Sequence, residues 1–185
     1  MLYLRIFYII RIMKKILTLL SISLLLVSCG GQTPIGFNDE IVREINNADL
    51  YFELVTKTML DSCLLNYNPE KVQNYQNGLS EKLQESVDNL NSIKDQSGGA
   101  DFRIAARNYV KSLTSLNESM VKIITNFGDT IGGKDAKLQE AFNKAEKNTD
   151  HKRELLIWHQ KQYAKKMNLK IQETPKFPSF PIKGQ

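Results

Sequence analysis

Phe102, Ala106, Tyr109, Leu113, Leu116, Met120, Ile123 and Phe127 recur in alternating steps of four and three residues, and no other feature of the chain restricts its fold so strongly. Such steps hold apolar side chains on one stripe of a helix, and when sustained they describe the seam of a left-handed helical bundle. A helix with one apolar stripe must bury it against other helices. The rest of the chain offers suitable partners.

Upstream, Asn38-Asp39-Glu40 reads as an N-cap with acids in the first turn, followed by Ile41, Ile45, Ala48, Phe52, Val55 and Met59 at helical spacing. This first helix should stop near Asn66-Tyr67-Asn68, and Pro69 can open the next one at its first position. The second helix carries Val72, Tyr75, Leu79, Leu83, Val87, Leu90 and Ile93 and ends at Ser97-Gly98-Gly99. The third, which holds the seam, ends between Gly128 and Gly132-Gly133. The fourth runs from about Lys134 to Ile171 with Leu138, Ala141, Phe142, Ala145, Leu155, Leu156, His159, Tyr163 and Met167. Its polar middle, 147–153, is where a break or kink is expected.

Short connections between long helices make neighbours antiparallel, so the expected fold is all-α, an up-down-up-down four-helix bundle. A three-helix bundle with a trailing helical arm is the alternative. Residues 38–171 form the expected bundle and 172–185 a Pro-rich basic tail. With four alternating helices, that tail leaves from the end where the first helix begins.

The N-terminus has a different character. Met13-Lys14-Lys15 precedes the apolar run Ile16 to Val27, a short positive region and an apolar core in the form of a secretory signal. A spanning helix needs about 20 apolar residues, which this run does not reach by itself. Leu26-Val27-Ser28-Cys29 then resembles the lipobox of bacterial lipoproteins, in which a small residue precedes a cysteine that is diacylglycerated before signal peptidase II cuts. The resemblance implies cleavage between Ser28 and Cys29, lipidation of Cys29, a signal peptide over 1–28 and a lipidated spacer over 29–37. The segment before Met13 duplicates the signal's character, and translation is expected to begin at Met13. With the short spacer and the Asn38-Asp39-Glu40-Ile41-Val42 start of the first helix, the chain also resembles small helical lipoproteins of Bacteroidetes and spirochaetes, a likeness that carries no activity.

Lipid matters here because each buried methylene contributes about 0.8 kcal/mol, so two or more acyl chains anchor stably where one does not. Gly30-Gly31-Gln32 follows the cysteine in place of the retention aspartate of enteric lipoproteins, which favours the outer membrane over the inner. Acidic residues do not begin until Asp39, so the surface-export pattern of Bacteroidetes lipoproteins is not matched.

The formal charge of +5 overstates the basic character, because Arg5, Arg11, Lys14 and Lys15 fall in the signal segment. What remains is nearly balanced, which does not point to nucleic acid. The charge is unevenly spread, with 12 basic and 6 acidic residues from Lys134 to Gln185. The tail, with Phe177 and Phe180 beside lysines, is a candidate contact for acidic headgroups. Once Cys29 is acylated, Cys63 has no intramolecular disulfide partner and is expected to be a small buried hydrophobe.

No catalytic constellation stands out. Gly128 to Lys134 fits G-x-x-x-x-G-K, but Asp135 stands where a phosphate loop needs Ser or Thr. His151, Glu154 and His159 share one side of the fourth helix and are weak metal-ligand candidates, without the paired Glu-x-x-His of di-metal bundles. Tyr51, Phe52, Tyr67, Tyr75, Tyr109, Tyr163 and Trp158 are expected in the core, with a ligand cavity as the alternative. Leu155-Leu156-Ile157-Trp158 makes the fourth helix apolar almost all round, so Leu155 and Trp158, with Phe177 and Phe180, form the candidate interaction surface. No cofactor is implied. The expected role is that of a lipid-anchored envelope protein with a non-catalytic interaction or structural part, partnered by the membrane and by envelope proteins or polymers. A bundle binding a small ligand or metal is the alternative.

Overall fold

The computed structural model describes residues 32–65, 67–129 and 135–171, without the side chains of 62–65 and 127–129. The bundle is the unit that begins at Pro34. Four helices account for it: α1 Pro34–Leu65, α2 Pro69–Ser92, α3 Ala100–Asp129 and α4 Ala136–Lys166. At 1.5 Å per residue these are about 36 to 48 Å long.

Helix starts follow local chemistry. Asn68 caps α2 by accepting from Lys71 N, and Pro69 occupies the first turn, where its missing N–H costs no bond. Asp135 caps α4 by accepting from Lys137 N and Leu138 N, so this residue serves a helix start. The first helix begins at Pro34, ahead of the expected Asn38, because Phe37 is fully buried and belongs to the core. The second ends at Ser92, short of Gly98. There Arg103 grips Asp95 through two bonds of 2.7 and 3.0 Å, fixing the α2–α3 turn onto α3 and holding the Asp95 carboxyl below its usual range.

Contacts alternate as the up-down-up-down topology requires. The start of α1 meets the start of α3 and the end of α4, where Phe37, Phe102 and Tyr163 form an aromatic cluster with ring centroids 5.2 to 6.4 Å apart. Glu44 on α1 accepts from Asn89 near the end of α2. Tyr67, just before α2, donates to Thr125 O near the end of α3. The all-α four-helix bundle expected from the sequence is the fold observed.

α3 lies at the centre of this arrangement, packed on each of the other three, and its contact with α4 is the most extensive. α4 is continuous through 147–153, where a break was expected. Thr149 in that stretch is buried and bonds both Ala145 O within its helix and Ser112 O across on α3. The polar sequence is therefore part of the contact with α3. Its buried positions Phe142, Thr149, Leu156 and Tyr163 recur every seven residues, joined at the last by Ala164, a narrow seam that leaves most of the helix surface to solvent.

Candidate interaction surface

Because the buried seam of α4 runs through Thr149 and Leu156, Lys152, Leu155 and His159 fall on one flank of it. On α3 the corresponding flank is Asp101, Ile104, Ala105 and Asn108. Together these seven residues line an open cleft of about 100 Å³. Two of its walls are apolar and exposed, Ile104 at 39 % and Leu155 at 36 %. Trp158, one helical turn beyond Leu155, is 54 % exposed and sets its ring edge-on to His159 with centroids 4.7 Å apart. Two exposed aliphatic side chains on facing helices mark a surface that gains from being covered. Asp101, Asn108, Lys152 and His159 supply polar groups of both charge types around it.

The other flank of the same stretch of α4 turns inward. Arg153 donates to the Tyr109 hydroxyl, through Nε at 3.3 Å and Nη2 at 2.9 Å, and its guanidinium lies 5.4 Å from the centre of that ring. Tyr109 donates in turn to Asp49 Oδ1 at 2.6 Å. One residue from each of α1, α3 and α4 is thus tied into a polar clamp in the apolar interior. Burial is the largest influence on Asp49 and pushes its carboxyl above the usual range, with Tyr109 and Arg153 opposing. Burial and the Asp49 carboxylate push the Tyr109 phenol up, so it remains a donor. Burial works against the charge of Arg153, yet Tyr109 and Asp49 outweigh it and hold the guanidinium protonated. The group fastens α1, α3 and α4 to one another, and Arg153 Nη1 also lies 3.9 Å from Asp150 Oδ1.

Of the candidate surface residues, Leu155 lines the cleft and Trp158 is exposed on α4 outside that lining, whereas Phe177 and Phe180 lie outside the described residues, as do Ser28 and Cys29. The candidate metal ligands are not brought together. His151 and His159 stand eight positions apart, about 12 Å along the helix axis, while ligand bonds to zinc are about 2 Å; His151 and Glu154 are exposed and His159 meets the Trp158 ring edge-on. Among the described residues no group of three or more His, Cys, Asp or Glu is placed to hold a metal. Cys63 and 130–134 of the glycine-rich turn lie outside the described side chains.

Tyr109, Tyr163 and Phe52 are buried in the core as expected, Tyr67 and Tyr75 partly, but Tyr51 and Trp158 are exposed. Tyr51 is accompanied on α1 by Leu50 and Leu54, also exposed, and has Lys82 over its ring at 5.8 Å. The sequence pointed to neither Ile104 nor the clamp. Charged residues beside the apolar series, Asp49 next to Ala48 and Arg153 four after Thr149, were the available signal. No helix among the described residues is long and apolar enough to cross a membrane. No family model, curated protein or solved structure matches the chain.

Proposed function

We propose that the protein is a lipid-anchored component of a bacterial cell envelope, held in the outer membrane through acylated Cys29, whose bundle has a non-catalytic interaction or structural role. The observation that carries this reading is Leu26-Val27-Ser28-Cys29 directly behind Lys14-Lys15 and the apolar run Ile16 to Val27. Acyl chains on Cys29 would hold the chain at a bilayer without any spanning helix. The bundle supports the non-catalytic part: its buried polar groups fasten helices to one another, and the α3–α4 cleft presents apolar side chains to the outside. Membrane lipids are the first partner; an envelope protein or polymer meeting the cleft is the second.

Intact mass spectrometry of protein purified from membranes, beside a Cys29→Ser variant, tests the anchor. The expected mass is that of Cys29 to Gln185 plus two or three acyl chains, with the lipid increment absent from the variant. A mass that retains 1–28, or lacks lipid, removes the proposal.

A further inference from the structure

α1 carries two stripes at helical spacing. The inward one, Phe37, Ile41, Ala48, Phe52 and Met59, belongs to the core that α1 shares with α2 and α3. The second is exposed: Arg43, Asn47, Leu50, Leu54, Lys57 and Asp61 follow one another in steps of four, three, four, three and four. Nine residues make two and a half turns of a helix with 3.6 residues per turn. Leu50 stands nine from Ile41, Leu54 nine from Ile45, Lys57 nine from Ala48, and Arg43 and Asp61 each nine from Phe52, so the exposed stripe lies opposite the core.

Solvation accounts for the charged positions of this stripe but not for its middle. There Leu50 is 62 % and Leu54 59 % exposed, with Tyr51 beside them. A lone exposed leucine is ordinary, whereas two leucines one turn apart within a four-three repeat make the contact stripe of a helix pair.

The charges select the orientation. With a second copy of α1 laid along the stripe antiparallel, about a two-fold axis level with Phe52, Leu50 meets the second copy's Leu54, Asn47 meets its Lys57 and Arg43 meets its Asp61. Symmetry makes each of these pairs twice. Laid parallel, Arg43, Lys57 and Asp61 would each face a like charge. Arg43 reaches Glu40 at 3.9 Å and Glu44 at 3.4 Å on its own helix, and a guanidinium has five donors, enough to serve a carboxylate across the interface as well.

We propose that the bundle pairs with a second copy of itself through the outward face of α1, antiparallel, with Leu50 and Leu54 at the centre and Arg43 facing Asp61 at both ends. From Arg43 to Asp61 the contact runs about 27 Å at 1.5 Å per residue. A single helix pair of this length is at the small end of specific interfaces, so the dimer is reversible, with a dissociation constant of about 10–100 μM. The outward face of α1 is turned away from α3, and pairing leaves the α3–α4 cleft open. None of this depends on the lipid anchor.

Sedimentation equilibrium tests the pairing on the chain from Cys29 to Gln185 carrying Cys29→Ser, which contains the whole bundle unit, kept reduced so that Cys63 forms no disulfide. The mass should rise from monomer towards dimer between about 5 and 500 μM. Leu50→Ser together with Leu54→Ser should weaken association at least about tenfold at unchanged helix content. Arg43→Asp alone and Asp61→Arg alone should each weaken it about tenfold, because like charges then face each other at both ends. Mixed in equal amounts, those two variants should associate as the parent does, since a heterodimer has opposite charges at both ends. A chain that stays monomeric at the highest concentration overturns the proposal, and so does a dimer indifferent to the leucine pair. Single charge variants that associate like the parent, or a mixture no tighter than its components, overturn the antiparallel pairing and the proposal with it.

Discussion

Asp49 carries a carboxylate into a region where its second oxygen is buried and has no hydrogen-bond partner, and the consequences belong to this residue alone. Because burial raises its pKa in the folded state above the unfolded value, the folded chain holds the proton more tightly. The stability due to this group is therefore fully present below the unfolded pKa and is lost as pH rises through the folded one. Asp49→Asn keeps an acceptor for the Tyr109 hydroxyl and removes the titration. Urea unfolding of both proteins, repeated from neutral pH down through the carboxylate range, should show the parent gaining on the variant as pH falls; a constant difference would contradict the account. This residue was poorly legible in the sequence, for periodicity assigns polar side chains to the outside unless a partner is known. Asn117 shows the same blindness: it fits steps of four and three between Leu113 and Met120 as well as Leu116 does, and it is fully buried with its amide unpartnered.

Among the elements, α4 was legible in its apolar half and obscure in its polar half. Its apparent all-round apolarity at Leu155 to Trp158 resolves into one buried position, Leu156, flanked by the exposed Leu155 and Trp158. The continuity of the helix through 147–153 depends on Thr149 and Arg153 finding partners on α3, which a linear pattern cannot reveal. The start of α1 was missed for a related reason, since Phe37 is a core residue only through the ends of α3 and α4 that meet it. The division between neighbouring leucines is open to measurement. Leu156→Ala should lower unfolding free energy by about 2–4 kcal/mol, the ordinary effect of emptying a buried leucine site. Leu155→Ala should stay within about 0.5 kcal/mol, as surface changes do. Equal losses in denaturant titrations would mean that the assigned face of α4 is wrong.

At the scale of the whole molecule, the alternating topology was legible from four apolar periods and three short connections, whereas the cleft was half legible, because the α3 residues that flank α4 depend on how the two helices are set against each other. The same setting makes the two ends of the bundle unequal. At one end Phe37, Phe102 and Tyr163 bring α1, α3 and α4 together over Gly99, where an added Cβ would overlap the Phe37 ring and stand 3.2 Å from Tyr163. At the other, the first turns of α4 bury Phe142 and leave Ala136, Lys137, Gln139, Glu140 and Ala141 exposed. Opening by fraying should therefore begin at the start of α4, with amides of 137–147 exchanging with solvent hydrogen faster than those of 156–164. Gly99→Ala strikes the closed end. Overpacking of this kind costs about 1–3 kcal/mol, and the loss should appear as faster exchange in 37–45, 102–110 and 156–164 while 137–147, already governed by local opening, changes little. Uniform acceleration along all four helices would mean that the bundle opens as one unit and that its two ends are energetically alike.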